Sequence, residues 1–295
     1  RDALRDNGKV CSVCINAGAL PEGSIERNTN SSDRHDECGV IFSNSLHFHR
    51  DELRKRDMVD PEVLEIYRGV SDRTIDLVES NQDASIPSCP LWSALDLLRH
   101  VTAVCQDWVE HRLHGYGTEQ WTQEGIERLS SLNFDQVSLA WRTAIDQMAY
   151  LNEEPGMGDP VRYAFGDAAA HEADLRAILA PGTKLPGDAL TLATKSSFVV
   201  WRQHLSECDS PGLTIDLNQG PTLTVGTKPQ MSLRISEHEL FRMLNGRRSI
   251  SQIEAYDWSA SPVSFIDIGL GGPVTGGRDG RATWASEPLI EAAVD

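Results

Sequence analysis

The chain has 295 residues and a formal net charge of −17, with 40% hydrophobic and 24% charged residues. That length can bury a large core and favours two domains. The acidic balance argues against nucleic acid, whose phosphates would be repelled. No apolar run approaches the roughly 20 residues that span a bilayer. Neither nucleic acid nor a membrane is therefore expected as a partner.

Residues 1–57 differ in composition from the rest of the chain. They are rich in Asn, Ser, Asp and Arg and lack sustained periodicity, which predicts a disordered extension. Met58 then opens an amphipathic segment, and we interpret it as the natural start, with residues 1–57 coming from an over-extended reading frame. A genuine disordered extension explains the composition equally, and the sequence does not separate the two. No signal peptide is recognised, which predicts a cytoplasmic protein.

The six cysteines are scattered thinly along the chain, and reduced thiols are expected. They are Cys11, Cys14, Cys38, Cys89, Cys105 and Cys208. Cys11, Cys14 and Cys38, followed by His47 and His49, resemble a small zinc site. Their spacing matches no standard zinc finger, so a disordered polar stretch is the preferred interpretation.

Hydrophobic periodicity predicts four helices in a first domain over residues 58–182. The predicted helices span about 60–80, 93–114, 134–152 and 160–179. Ser93 and Asp96 form a plausible capping box at the start of the second helix, and Pro160 suits the first turn of the fourth. The connections 81–92 and 115–133 contain Pro, Gly and polar residues and are predicted to be loops or of uncertain structure. Four helices of this length imply a bundle whose sites are built from inward-facing residues.

The pattern changes after Pro181 and Gly182. One more helix is predicted at 188–206, followed by three short runs of alternating apolar and polar residues, which predict antiparallel strands. Ser236 is expected to cap a helix that follows, and residues 249–258 are predicted to form the last one. The second domain, residues 183–268, is therefore expected to be α+β, and residues 269–295 an irregular tail.

Three residues form the candidate metal site. Asp167 and His171 are four residues apart on a predicted helix, so their side chains share one face. His100 lies on another predicted helix. Two nitrogens and one oxygen suit a divalent metal with an open coordination position. The competing interpretation is that these are ordinary packed or exposed side chains; the apolar neighbours of Asp167 favour a metal, because a buried carboxylate needs a partner.

Three motifs in order resemble the mycothiol-dependent maleylpyruvate isomerase family. The first is IPSCPLWSALDLLRHV, ending around His100, and the second is GDAAAHEADLRAIL, which contains Asp167 and His171. The third is SEHELFRMLNGRRSISQIEAYDW near the C-terminus. Together the motifs cover about residues 58–260.

The resemblance implies a DinB-like metal-binding four-helix bundle followed by a sterol-carrier-like α+β domain. It implies His100, Asp167 and His171 as ligands of a divalent metal, usually zinc, although the characterised pattern has Glu at the acidic position. Mycothiol is the implied thiol cofactor, and Arg247 and Arg248 are candidates for binding it as an anion.

The expected function is addition of a low-molecular-weight thiolate to an electrophilic small molecule. A metal lowers the pKa of coordinated groups, and the thiolate is the reactive nucleophile. Elimination after rotation about a double bond would make the enzyme an isomerase, whereas release of the adduct would make it a thiol transferase. Two alternatives stay open: a non-catalytic metal-binding or interaction module, and a metal-dependent hydrolase.

Overall fold

The computed structural model describes residues 59–151, 160–208, 210–226 and 228–270, together with Ala285, Pro288 and Glu291. The predicted extension over residues 1–57, its possible zinc site, Met58 and most of the predicted tail over 269–295 lie outside the described residues. The described part is mostly helical with two small sheets. None of its helices is long and apolar enough to cross a membrane.

Five helices and a short hairpin make up the first half of the described chain. The helices are α1 (Pro61–Glu79), α2 (Ala94–Val109), α3 (Glu119–Arg128), α4 (Phe134–Met148) and α5 (Pro160–Leu179). All four predicted helices are present. Helix α1 packs on α5 and α4, and α2 packs on α4 and α5, so these four helices surround one hydrophobic core.

Helix α2, which carries His100, begins where the sequence predicts. The Ser93 hydroxyl accepts a hydrogen bond from the Asp96 amide at 3.1 Å, and the Asp96 carboxylate accepts from the Ser93 amide at 3.2 Å. The helix ends at Val109, earlier than the predicted residue 114. His111 has a φ of 54°, a left-handed conformation that no α-helix continues through.

Two connections are more regular than the sequence predicts. The loop 81–92 contains an antiparallel hairpin of β1 (Ser85–Ile86) and β2 (Cys89–Ser93), in which Ser85 pairs with Ser93. The second connection contains α3, capped by Thr118, which buries Trp121 and Ile126. A polar helix with few apolar residues gives a weak periodic signal, so the sequence alone misses it.

The second half of the described chain forms a mixed sheet with four flanking helices. Its elements are α6 (Gly187–Glu207), β3 (Gly212–Leu217), β4 (Thr222–Val225), β5 (Pro229–Ile235), α7 (Glu237–Leu244), α8 (Ile250–Glu254), β6 (Asp257–Trp258) and α9 (Val263–Ile268). The strand order is β4-β3-β5-β6. Residues 249–258, predicted as one helix, divide into α8 and β6, and α9 was not predicted.

The predicted strands are present, but the expectation that they are all antiparallel is wrong. Strand β3 pairs antiparallel with β4 and parallel with β5. The chain crosses from one side of β3 to the other within a few residues, so backbone passes close to backbone. A Cβ on Gly212 would lie 2.6 Å from the Lys228 carbonyl oxygen, and Gly226 has a φ of +75°. Glycine at both positions makes this crossing possible.

Helix α6 joins two hydrophobic cores. Its first half contributes Ala189, Leu190 and Ala193 to the helical core. Its second half contributes Trp201 and Leu205 to the core beneath the sheet. The predicted domain boundary at residue 183 falls just before this shared helix, and the division into two independent domains stays a prediction.

Candidate metal centre

The three predicted ligands lie together between α2 and α5. His100 Nε2 is 3.1 Å from Asp167 Oδ2, and His171 Nε2 is 3.7 Å from Asp167 Oδ1. One potential ligand atom from each residue lies within 4.8 Å of the other two. Asp167 and His171 share one face of α5 because they are one turn apart, and α2 brings His100 to that face. The sequence therefore predicts this grouping correctly, while metal binding itself stays a prediction.

One candidate ligand atom lacks a hydrogen-bond partner in the part of the chain that the structure describes. Asp167 Oδ2 is buried and accepts no hydrogen bond from the described residues, although His100 Nε2 lies 3.1 Å away. The contact therefore has the distance of a hydrogen bond without its alignment. A tetrahedral zinc ion with donors at about 2.0–2.1 Å would hold those donors roughly 3.3 Å apart. The observed separations, 3.1 Å from His100 Nε2 to Asp167 Oδ2 and 3.7 Å from His171 Nε2 to Asp167 Oδ1, are close to that value. They involve the two different oxygens of the carboxylate, and all three candidate ligand atoms lie within 4.8 Å of one another.

The site is enclosed by the protein. His100 and His171 are almost fully buried, and Asp167 is 8% exposed. The two imidazole rings meet edge to face with centroids 5.1 Å apart. Trp92 from β2 packs over His100 with ring centroids 4.8 Å apart. Low solvent access strengthens electrostatic interactions at the donors and limits their rotamers.

Asp174, to which the sequence assigned no role, holds the second nitrogen of His171. Its Oδ2 lies 3.1 Å from His171 Nδ1, one helical turn further along α5. Metal-binding histidines commonly donate their other ring N–H to a carboxylate, which fixes the tautomer and ring orientation. If Nδ1 carries the proton and donates it to Asp174, Nε2, the ring nitrogen nearer Asp167, carries the lone pair that can bind a metal. The spacing Asp-x-x-x-His-x-x-Asp was the available signal.

Two arginines from the second half of the chain neutralise Asp174. Arg247 donates to both carboxylate oxygens, at 2.9 and 2.7 Å, and Arg242 Nη2 lies 2.9 Å from Oδ1. Burial alone would raise the pKa of Asp174, but the charges of Arg247 and Arg242 hold it well below its usual range. Asp174 is therefore a carboxylate, and it ties His171 to the sheet-containing half of the chain.

Arg247 and Arg248, predicted to bind a thiol cofactor, are both buried against carboxylates of the chain. Arg247 faces Asp174, as described. Arg248 forms two hydrogen bonds of 2.7 Å with Glu239. A cofactor role for either residue stays a prediction. To bind directly, an anionic cofactor would have to share the guanidinium with its carboxylate partner or displace that partner.

A second group of possible metal donors shares His171. Cys89 Sγ lies 3.9 Å from His171 Nδ1, and Cys89, His171 and Asp174 offer ligand atoms within 4.8 Å of one another. Asp174 is already engaged by two guanidiniums, so its oxygens are poor ligands. The set around Asp167 is the better metal site. The three described cysteines, Cys89, Cys105 and Cys208, form no disulfide with one another.

Two other residues clarify the limits of the site. Asp96 forms the predicted capping box with Ser93 and pairs with Arg99 at 2.9 Å. His238 is 8% exposed. It lies on α7, beside the arginines described above.

Two solved structures are similar to this chain: a crystal structure of the mycothiol-dependent maleylpyruvate isomerase and one of a mutant of it. The identities are 15% and 14%, and each comparison covers 73% of this chain and 96% of the other with a TM-score of 0.45. No protein-family model matches the sequence. No curated protein matches it. A TM-score of this size establishes neither fold nor activity, so the metal centre stands on its own geometry.

Proposed function

We propose that this protein is a metal-dependent enzyme that adds a low-molecular-weight thiolate, mycothiol, to an electrophilic small molecule. The reaction would be isomerisation or thiol transfer of the maleylpyruvate isomerase type, in the cytoplasm. The proposal draws its chemistry from the three sequence motifs and its site from the structure.

One observation carries the proposal. His100, Asp167 and His171 converge in a buried site, and Asp167 Oδ2 accepts no hydrogen bond there. Leaving a buried carboxylate oxygen without a partner costs about 1–3 kcal/mol or more. A divalent cation, with zinc the best match to two imidazoles and one carboxylate, would remove that cost. Three protein ligands are also the number that leaves a position for an exogenous group.

A zinc ion held there would lower the pKa of a coordinated thiol and so supply a thiolate near neutral pH. The chain's own residues would orient the donors and exclude water. Asp174 keeps the Nε2 lone pair of His171 directed toward the site, and Trp92 shields His100. The thiolate would add to the electrophilic carbon and leave the negative charge on the substrate. Expulsion of the thiolate after bond rotation would restore the double bond and give an isomer, whereas protonation of the adduct by solvent would give a thiol conjugate.

The cofactor role proposed for Arg247 and Arg248 takes an indirect form. Arg247 holds Asp174 in place and, through Asp174, orients His171. Arg248 ties the turn before α8 to Glu239 on α7. Neither guanidinium has to touch the thiol for the sheet-containing half to support the reaction.

The first test is metal content. Purified protein should carry about one zinc per chain, and His171→Ala should carry almost none, because one of three ligands is lost. His114→Ala, at an exposed histidine, is the matched control and should keep its metal. Full metal occupancy in the His171→Ala variant would refute the ligand assignment.

The second test is the thiol. Mycothiol should raise the thermal midpoint of the zinc-loaded protein but not of the His171→Ala variant, since binding to the folded state stabilises it. A panel of electrophiles, including maleylpyruvate, should then be consumed only when thiol is present. Turnover without thiol would instead support a hydrolase, and zinc binding without turnover would support a non-catalytic module.

A further inference from the structure

A cluster of three arginines lies behind the metal centre, and we call it the arginine cluster. Its members are Arg242 on α7 and Arg247 and Arg248 in the turn before α8. Each of the three arginine side chains is at least 95% buried. Charges buried to this degree are stable only when they are paired. The carboxylates that pair with them therefore determine what this region can bind.

The partners of the arginine cluster come from three separate parts of the chain. They are Asp174 on α5, Glu239 on α7 and Glu291 near the C-terminus. Among the described residues, three guanidiniums thus face three carboxylates. Two of the carboxylates belong to helices, whereas Glu291 does not. Without Glu291 the cluster would hold one positive charge in excess.

Glu291 sits between two of the arginines. Arg242 Nε donates to Glu291 Oε1 at 3.1 Å, and Arg242 Nη2 also contacts that oxygen. Arg248 Nη2 donates to Oε2 at 3.0 Å. The Glu291 side chain is only 12% exposed. Its carboxylate is therefore clamped by two guanidiniums in a site of low solvent access, which is how proteins bind small carboxylate ligands.

The clamp has hydrogen-bonding capacity that Glu291 does not use. Arg242 Nη1 and His238 Nδ1 are both buried, and neither has a hydrogen-bond partner among the described residues. His238 and Arg242 are one turn apart on α7, so they share a face. A buried guanidinium nitrogen without an acceptor is costly. It indicates that the site can bond to more acceptor atoms than the carboxylate of a single side chain supplies.

We propose that Arg242, Arg248 and His238 form a carboxylate-binding site that the chain's own Glu291 occupies. A free small carboxylate would bind there in place of Glu291. The only other described contact between this end of the chain and Arg248 is a hydrogen bond of 3.1 Å from the Ala285 amide to the Arg248 carbonyl. Removal of the Glu291 carboxylate should leave the clamp open without dismantling it.

The site also lies close to the metal centre. Arg242 Nη2 contacts Glu291 and lies 2.9 Å from Asp174 Oδ1, and Asp174 Oδ2 contacts His171. A carboxylate that replaces Glu291 would therefore be linked to His171 through two side chains, Arg242 and Asp174. The binding site itself depends neither on metal nor on catalysis, so its test is separate from that of the proposed function.

The test uses the full chain and acetate as the probe. Glu291→Ala should lower the thermal midpoint by at least about 4 °C, because it leaves a buried guanidinium without its partner. Millimolar acetate should restore at least half of that loss, and sodium chloride at equal ionic strength should not. Wild-type protein, with its clamp filled, should show little response to acetate. Glu254→Ala, at an exposed glutamate, is the matched control and should behave like wild type.

A second variant and a direct measurement guard against misfolding. Glu291→Gln keeps the side-chain volume and should also lose stability that acetate restores. Isothermal titration should detect acetate binding to either Glu291 variant at least tenfold more tightly than to wild type. If both variants keep the wild-type midpoint, or if acetate does no more than chloride, the proposed site does not exist.

Discussion

His171 Nδ1 and Asp174 Oδ2 lie 3.1 Å apart, and the Asp174 carboxylate accepts hydrogen bonds from Arg247. This arrangement couples the two halves of the chain at the metal centre. Helix α5 supplies both His171 and Asp174, whereas Arg247 lies 73 residues further along the chain than Asp174. The orientation of His171, a candidate metal ligand, is thereby supported by the sheet-containing half of the molecule.

Replacement of Asp174 by Asn should weaken metal binding by about 10- to 100-fold, which is the usual effect of losing the carboxylate behind a ligating histidine. The measurement is a zinc competition titration with a chelator, on protein whose helicity is confirmed by circular dichroism. The change should also destabilise the fold, because two arginines lose a charged partner.

The matched control is Glu172→Gln. Glu172 is the buried carboxylate two residues before Asp174, and it pairs with Arg73 and Arg176 rather than with the metal centre. It should lose a comparable part of the stability and keep wild-type zinc affinity. Equal zinc affinity in the two variants would show that Asp174 acts only as a structural ion-pair partner.

The sequence predicts best what depends on neighbouring residues. Helix α5 spans Pro160–Leu179, the predicted range, because its start signal and its periodic apolar face are both local. The pairing of Asp167 with His171 follows from the same helical spacing. Asp174 could be seen in the same motif, but its role depends on Arg247, and nothing local reveals that contact.

Features that depend on distant chain segments are those that the sequence misses. The parallel pairing of β3 with β5 follows from a crossing at Gly212 and Gly226, while a period of two says nothing about strand direction. Likewise, the sequence indicates that Arg247 and Arg248 are available to bind an anion. The fold, however, places carboxylates from other elements against them.

Asp167→Asn should separate stability from metal binding. An amide is neutral and ligates zinc poorly, so zinc affinity should fall on the order of 100-fold or more, or about 2.8 kcal/mol. The metal-free variant should nevertheless be at least as stable as metal-free wild type, because Asp167 Oδ2 is buried without a hydrogen bond. Chelator titration and urea unfolding of the apo proteins provide the two measurements.

The control for that experiment is Asp167→Glu. Glu keeps the carboxylate and adds one methylene, so it should retain zinc with at most a roughly tenfold change, about 1.4 kcal/mol. If the Glu variant lost zinc as completely as the Asn variant, the length of the side chain rather than its charge would determine zinc affinity at this position.

His238 should make the fold less stable in mildly acidic solution. Burial, together with the Arg242 charge beside it, lowers the pKa of His238 to about 4. The unfolded chain takes up a proton near pH 6.5, whereas the folded chain does so only near pH 4. Stability should therefore fall as the pH drops through this window, by roughly 2 kcal/mol between pH 7 and pH 5 for this group.

His238→Gln should remove that contribution, and the difference is measured by urea unfolding of metal-free protein at several pH values. The carboxylates near His238, Glu239 and Glu291, have pKa values lowered from an ordinary value near 4.5. Most of their contribution to stability is therefore lost below pH 5, the lower end of the range compared. Arg248 stays charged throughout, because its contacts with Glu239 and Glu291 outweigh burial and raise its pKa. Parallel stability curves for the variant and wild type from pH 7 to 5 would contradict the prediction.

Cys89→Ala distinguishes the two donor groups that share His171. If the metal lies among His100, Asp167 and His171, loss of the Cys89 thiol should change zinc affinity by no more than about threefold, under 1 kcal/mol. The sulfur lies 3.9 Å from His171 Nδ1, on the side of the ring that faces Asp174 rather than Asp167. A metal held from that side would require Asp174 to leave Arg247, and burial of the released guanidinium would oppose that change.

Zinc affinity is measured by the same chelator competition. Cys105→Ala, at another buried cysteine, is the control. A large loss of zinc in the Cys89 variant alone would move the metal to the Nδ1 side of His171.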